Sequence, residues 1–131
     1  MTGITGTETL LVVEDELDLL RMIQLGLRRA GYTVLEAGSP TAALQLLADY
    51  HGPLHLVLTD IIMPGMNGRD LYQEIVRQFP SAGVLFMSGY PVDFFPETAE
   101  DEIQFAFLRK PFELHQLAVR VRLVLDARGD R

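Results

Sequence analysis

The chain contains no cysteine, which removes disulfides and thiolate metal sites from consideration. Positive charge is scarce as well: 11 Lys and Arg stand against 18 Asp and Glu, for a formal net charge of −7. A nucleic-acid surface needs clustered Lys and Arg, so that class is excluded, and the acidic balance fits a protein with an acidic site. No apolar run reaches 18 residues and no signal-peptide pattern opens the chain. The expectation is therefore a soluble, cytoplasmic domain without membrane contact. There is neither a P-loop (GxxxxGK followed by Ser or Thr) nor a GxGxxG dinucleotide fingerprint, which leaves no ATP or NAD site. Internal repeats and low-complexity segments are missing too.

What is present suits one domain with a real core: 131 residues, 48% of them hydrophobic. "MTGITGTE" (1–8) is small and polar and is expected to be a tail or linker, followed by a domain over 9–127 and a short tail over 128–131. Short apolar runs of strand length recur at "LLVV" (10–13), "YTVLEA" (32–37), "LHLVLT" (54–59), "GVLFMS" (83–88) and "FAFLRK" (105–110). Between them lie helical patterns. Residues 17–30 set Leu20, Ile23, Leu27 and Ala30 on one stripe and end at Gly31. Ser39-Pro40 supplies an N-cap and a first-turn Pro for a helix over 40–50, with Ala43, Leu46 and Leu47 inward. Residues 68–78 carry Leu71, Ile75 and Val76, and residues 113–126 carry Leu114, Leu117, Val121 and Val124 or Leu125 on one face. "DFFPETAEDE" (93–102) breaks the pattern at Pro96, so a helix there should be short or displaced. Alternating strands and helices, with strands apolar nearly throughout, predict an α/β domain around a parallel sheet covered on both faces.

In such sheets the chemistry lies beyond the carboxyl ends of the strands. Glu14 and Asp15 follow the first strand, Asp60 the third, Ser88 and Gly89 the fourth, Lys110 and Pro111 the fifth. Three carboxylates close together repel unless a cation joins them. The set is all oxygen, with no His or Cys, which selects a hard ion, Mg²⁺ before the transition metals. A cation and a Lys together make a cradle for a phosphoryl group, whose other oxygens Ser88 and the Gly89 N–H could bind. Without a nucleotide site, the phosphoryl group is expected on the protein itself, at Asp60, a carboxylate nucleophile at the end of a central strand. Each feature alone has a plainer reading, as a helix cap, a turn residue or a strand end. Their conjunction at four strand ends is what favours a site. His51, His55 and His115 show no ligand spacing and read as surface or loop residues.

Together "LVVEDE", "LVLTDIIMPGMNG", "VLFMSGY" and "FLRKPF" resemble the receiver domain of two-component response regulators, over about residues 8–126. The resemblance implies a flavodoxin-like (βα)5 three-layer sandwich with strand order 2-1-3-4-5. It implies a phosphoacceptor at Asp60, Mg²⁺ held by Asp15, Asp60 and the carbonyl of Ile62, and Glu14 acting mostly through a water. Ser88, Gly89 and Lys110 would bind the phosphoryl group. Phe107 would be the switch aromatic, turning inward as the face of helix four, strand five and helix five is remodelled. The donor would be a histidine kinase or a histidine phosphotransfer domain, and a receiver homodimer is a further partner. The domain would not be an enzyme in its own right, although it assists its own phosphotransfer and dephosphorylation. Neither Ile62 nor Tyr90, two residues past Asp60 and Ser88, is a good base, which implies slow to moderate self-dephosphorylation. Leu17, Met22 and Leu25 exceed what the core stripe of the first helix needs, and part of that surplus is assigned to partner docking. "GTETLLVVEDE" resembles the lead into the receiver of a hybrid sensor histidine kinase; a stand-alone regulator is the alternative. The other class readings are a Mg²⁺-dependent phosphatase or phosphotransferase, disfavoured by the lack of a second acid two residues after Asp60, and a receiver-like module that is never phosphorylated.

Overall fold

The five apolar runs do become five parallel strands. In the computed structural model, which describes residues 5–89 and 107–129, these are β1 (Thr9–Val13), β2 (Thr33–Ala37), β3 (Leu56–Asp60), β4 (Gly83–Ser88) and β5 (Phe107–Arg109). They form one sheet in the order β2-β1-β3-β4-β5. The described helices are α1 (Leu17–Arg29), α2 (Pro40–Ala48), α3 (Gly68–Gln78) and α4 (Leu114–Gly129). The last is the fifth helix of the sequence expectation. The segment expected to hold a short fourth helix lies outside the described residues, as do Pro96 and Tyr90.

Side-chain alternation divides each central strand between two cores. Leu10 and Val12 of β1 and Leu56 and Leu58 of β3 face α1 and α4, whose Leu20, Ile23, Leu27, Leu117 and Val121 complete that layer. Leu11, Val13 and Val57 face the opposite way, onto Ala43 and Leu47 of α2 and Leu71 and Ile75 of α3. Burying one such aliphatic side chain is worth roughly 2 kcal/mol, so the two layers hold the sheet between them. Leu114, expected on the inner face of the last helix, is 42% exposed. It begins that helix and rests on Gly26 of α1 rather than on the sheet. The surplus residues Leu17, Met22 and Leu25 stay out of the core at 63%, 38% and 47% exposure.

Local chemistry sets the helix ends. The Ser39 hydroxyl accepts from the Ala42 N–H at 3.0 Å, with Pro40 in the first turn. The Asn67 side chain does the same for the Asp70 N–H at 2.9 Å and starts α3. α1 begins after Glu16 without a side-chain cap, but carries Asp18 in its first turn and Arg28 and Arg29 in its last, complementing its dipole. Gly31 ends it with φ +107°. Residues 5–8 lie against this end of the domain. The Gly6 N–H donates to the Ala30 carbonyl at 3.1 Å, and the Arg122 guanidinium of α4 grips the Glu8 carboxylate at 2.6 and 3.1 Å.

Candidate functional site

The backbone brings the strand-end residues together by continuing the ladder one step past the strands. The Glu14 N–H donates to the Ala37 carbonyl, Ile61 to Met87 and Lys110 to Ser88, at 3.1, 3.0 and 2.8 Å. Glu14 and Lys110 are thereby registered against the ends of the neighbouring strands, and Asp60, paired with Met87, is fixed one residue before Ile61. Glu14, Asp15 and Asp60 each present a carboxylate oxygen, and these oxygens lie within 4.8 Å of one another. Glu14, Asp60 and Ser88 are buried, whereas Asp15 is exposed.

Lys110 holds the centre. Its Nζ donates to Asp60 Oδ2 and to Glu14 Oε1, both at 2.9 Å. One ammonium thus faces two buried carboxylates. Burial and the neighbouring Glu14 push the Asp60 carboxyl up to about 7, with Lys110 opposing. Burial also works against the Glu14 carboxylate, but hydrogen bonds with Asp60, Lys110 and the Glu16 N–H outweigh it and hold Glu14 below the ordinary carboxylate range. For Lys110, burial is outweighed by its two carboxylate partners, and its ammonium is held above the usual lysine range. A buried carboxylate that holds its charge only with help is suited to take a cation and to attack an electrophile.

All the expected residues except Phe107 gather at this pole of the sheet. Ile62, whose carbonyl was expected to face the ion, lies in the loop after β3 with its side chain 47% exposed. Gly89 is exposed, and a Cβ there would meet nothing within 4 Å among the described residues, so packing does not demand its smallness. Phe107 starts β5 and is buried against Ile61, with Phe86 beside it. Glu14 was expected to serve an ion through a water. In the structure its carboxylate accepts from Lys110 Nζ, a contact between positions 96 apart in sequence.

The sequence pattern marks Gly68 only as the start of a helix. Its α-carbon packs against the Asp60 carbonyl, where any side chain would collide, while its N–H donates to the Ile61 carbonyl at 2.8 Å. The signal available was the loop "MPGMNG" itself, which reads as turn chemistry and hides this close approach. Beside the site, a cavity of about 570 Å³ opens between the start of α1 and the β5–α4 turn, lined by Asp18, Leu19, Met22, Lys110 and Phe112.

Comparison with known proteins gives a consistent result. The family model described as response regulator receiver domain matches residues 10–122. The sensor kinase CckA of Brucella abortus is 39% identical over 126 residues, covering 95% of this chain, which spans only 13% of the kinase. The response regulator receiver protein CpdR of the same organism is 29% identical over 118 residues, covering 90% of this chain and 97% of that protein. Among solved structures, the receiver domain from hybrid histidine kinase CckA superposes with a TM-score of 0.73 at 33% identity, covering 89% of this chain and 98% of the other.

Proposed function

The chain belongs to the response regulator receiver domain family, and on that premise we propose that Asp60 is the residue that accepts the phosphoryl group. Receiver domains are the phosphoacceptors of two-component signalling and bind Mg²⁺ at an acidic site. The observation that carries the assignment is Lys110, whose ammonium stands 2.9 Å from both Asp60 and Glu14 at the carboxyl ends of the strands.

The donor is a phosphohistidine on a histidine kinase or histidine phosphotransfer domain. An Asp60 oxygen attacks phosphorus in line; the P–O bond forms as the P–N bond to imidazole breaks. Lys110 offsets the charge on the transferring group. Asp15, Asp60 and the Ile62 carbonyl would hold the divalent cation, with Glu14 serving it through a water. Three carboxylate oxygens within 4.8 Å suit a hard, oxygen-seeking ion. When bound, that ion supplies further neutralisation of the phosphoryl oxygens. The Ser88 hydroxyl, at the end of β4, donates to the new phosphate, and the Gly89 N–H supports it. That pull moves the β5 face through Phe107, a two-state element biased by a new dianion.

The donor docks beside the site, over Leu17 and the cavity lined by Leu19, Met22 and Phe112. The domain is part of a hybrid sensor kinase, a reading supported by the 39% match to the CckA segment; the near-complete coverage of CpdR supports the stand-alone alternative. Incubation with Mg²⁺ and acetyl phosphate, read by intact mass, tests the assignment. A single phosphoryl adduct that is lost in Asp60→Asn is expected. No adduct on the wild-type chain would favour a module that is never phosphorylated.

A further inference from the structure

The outer face of α1 carries a stripe that nothing among the described residues covers. Asp18, Met22, Leu25 and Arg29 follow at steps of four, three and four residues, the spacing that aligns side chains along one side of a helix. All four are exposed. Neither Asp18 nor Arg29 joins an ion pair among the described residues, whereas the adjacent Arg28 is engaged with Glu36 at 3.1 Å. Alongside the stripe, between α1 and α4, runs an apolar groove of about 320 Å³ whose walls include Leu27, Ala30, Leu114 and Ala118. Gly26 lets the two helices close on each other there, because a Cβ on it would come within 2.9 Å of Leu114.

We propose that this stripe is the contact face of a homodimer, in which α1 of one copy lies antiparallel to α1 of a second copy about a two-fold axis. The charge pattern selects that occupant. The stripe is acidic at its start, apolar in its middle and basic at its end. The antiparallel register that sets Asp18 opposite Arg29 of the second copy also sets Met22 opposite Leu25 of the second copy. Two-fold symmetry then repeats every contact. A parallel pairing would put Asp18 beside Asp18 and Arg29 beside Arg29. Antiparallel helices also align opposed dipoles favourably. Burial of Met22, Leu25 and the neighbouring Leu114 drives association, and the charges fix its register.

One helix per copy is a contact at the small end of the interface scale, so the isolated domain associates weakly. Asp18 and Met22 also line the cavity beside Lys110. On the phosphoacceptor reading, the dimer and the phosphodonor therefore compete for the same two side chains; the dimer itself does not depend on that reading.

Sedimentation velocity on the unphosphorylated chain, carried to about 1 mM, the effective concentration a short tether provides, is expected to show a monomer–dimer equilibrium. Leu25→Glu should weaken it about tenfold or more. Asp18→Lys and Arg29→Glu should each weaken it about as much when alone, and mixing the two in equal amounts should restore it, because the mixed pair rebuilds both ion pairs. Circular dichroism checks that each variant is folded, and Asp60→Asn should associate like the wild type. Three results would overturn the proposal: a monomer throughout, which would assign the groove to a helix of another protein; a dimer indifferent to Leu25→Glu; or a mixture that associates no better than its components.

Discussion

Gly68 presses its α-carbon against the backbone carbonyl of Asp60, so closely that a methyl group would overlap the oxygen. The start of α3 and the end of β3 are thereby locked to each other, and Asp60 is seated by that lock. Gly68→Ala should cost about 2 kcal/mol, the scale of forced overpacking, and slow phosphoryl uptake from acetyl phosphate. Urea unfolding and timed mass spectrometry read the two effects. Normal uptake in a destabilised variant would mean that the loop yields without moving Asp60.

Two buried carboxylates share one ammonium, so removing a member has opposite effects on the two sides. Asp60→Asn relieves Glu14 of a like-charged neighbour and should raise stability by ~1 kcal/mol while abolishing the adduct. Lys110→Met leaves both carboxylates without their cation and should lower stability by about 3 kcal/mol, again without an adduct. Thermal melts of the pair in metal-free buffer decide the matter; equal shifts of the same sign would contradict the geometry.

The Arg122 grip on Glu8 sets an acid limit on the fold. Hydrogen bonding to Arg122 holds the Glu8 carboxyl at about 2, against an ordinary value of 4.5. The folded-state value lies below the unfolded one, so the contribution is complete above pH 4.5 and is lost as pH falls toward 2. Because the pair is partly solvated, about 1 kcal/mol is expected rather than the full shift. Glu8→Gln should remove that part of the slope in stability measured across this range, with no change near neutrality beyond the same constant loss.

The phosphorylated form should persist well beyond seconds. Ile62 offers no proton acceptor to a water approaching Asp60, and its side chain lies exposed at the loop surface. A phosphate-release assay on the purified adduct with Mg²⁺ present measures the lifetime, and decay within seconds would refute slow turnover. Ile62→Glu, which supplies a base two residues from Asp60, is expected to shorten it.

Much of this was legible because it is written in local patterns. The limits of α3 and β4 coincide with the sequence pattern, since Asn67-Gly68 and the run from Gly83 to Ser88 carry their own punctuation. The polar residues at the strand ends could be gathered from the rule for open parallel sheets alone. What escaped were contacts between distant parts of the chain. The Glu14–Lys110 pair spans 96 residues, and the Arg122–Glu8 pair spans 114. The exposure of Leu114 depends on how α4 crosses α1, and the bare face of Gly68 on a carbonyl eight positions earlier. Periodicity reports which face of an element is apolar; it does not report which neighbour arrives there.

The separation of 96 positions between Glu14 and Lys110 bears on how the protein is made. Synthesis releases Glu14 and Asp15 early, just past β1, and Asp60 at the end of β3 midway. The ammonium that balances them emerges only after β4 is complete, one residue past β5, the last edge strand of the sheet. A chain truncated before Lys110 therefore holds Glu14 and Asp60 without that counter-charge. On the phosphoacceptor reading, uptake of a phosphoryl group then waits on the docking of the last strand, which brings Lys110 to Glu14 and Asp60.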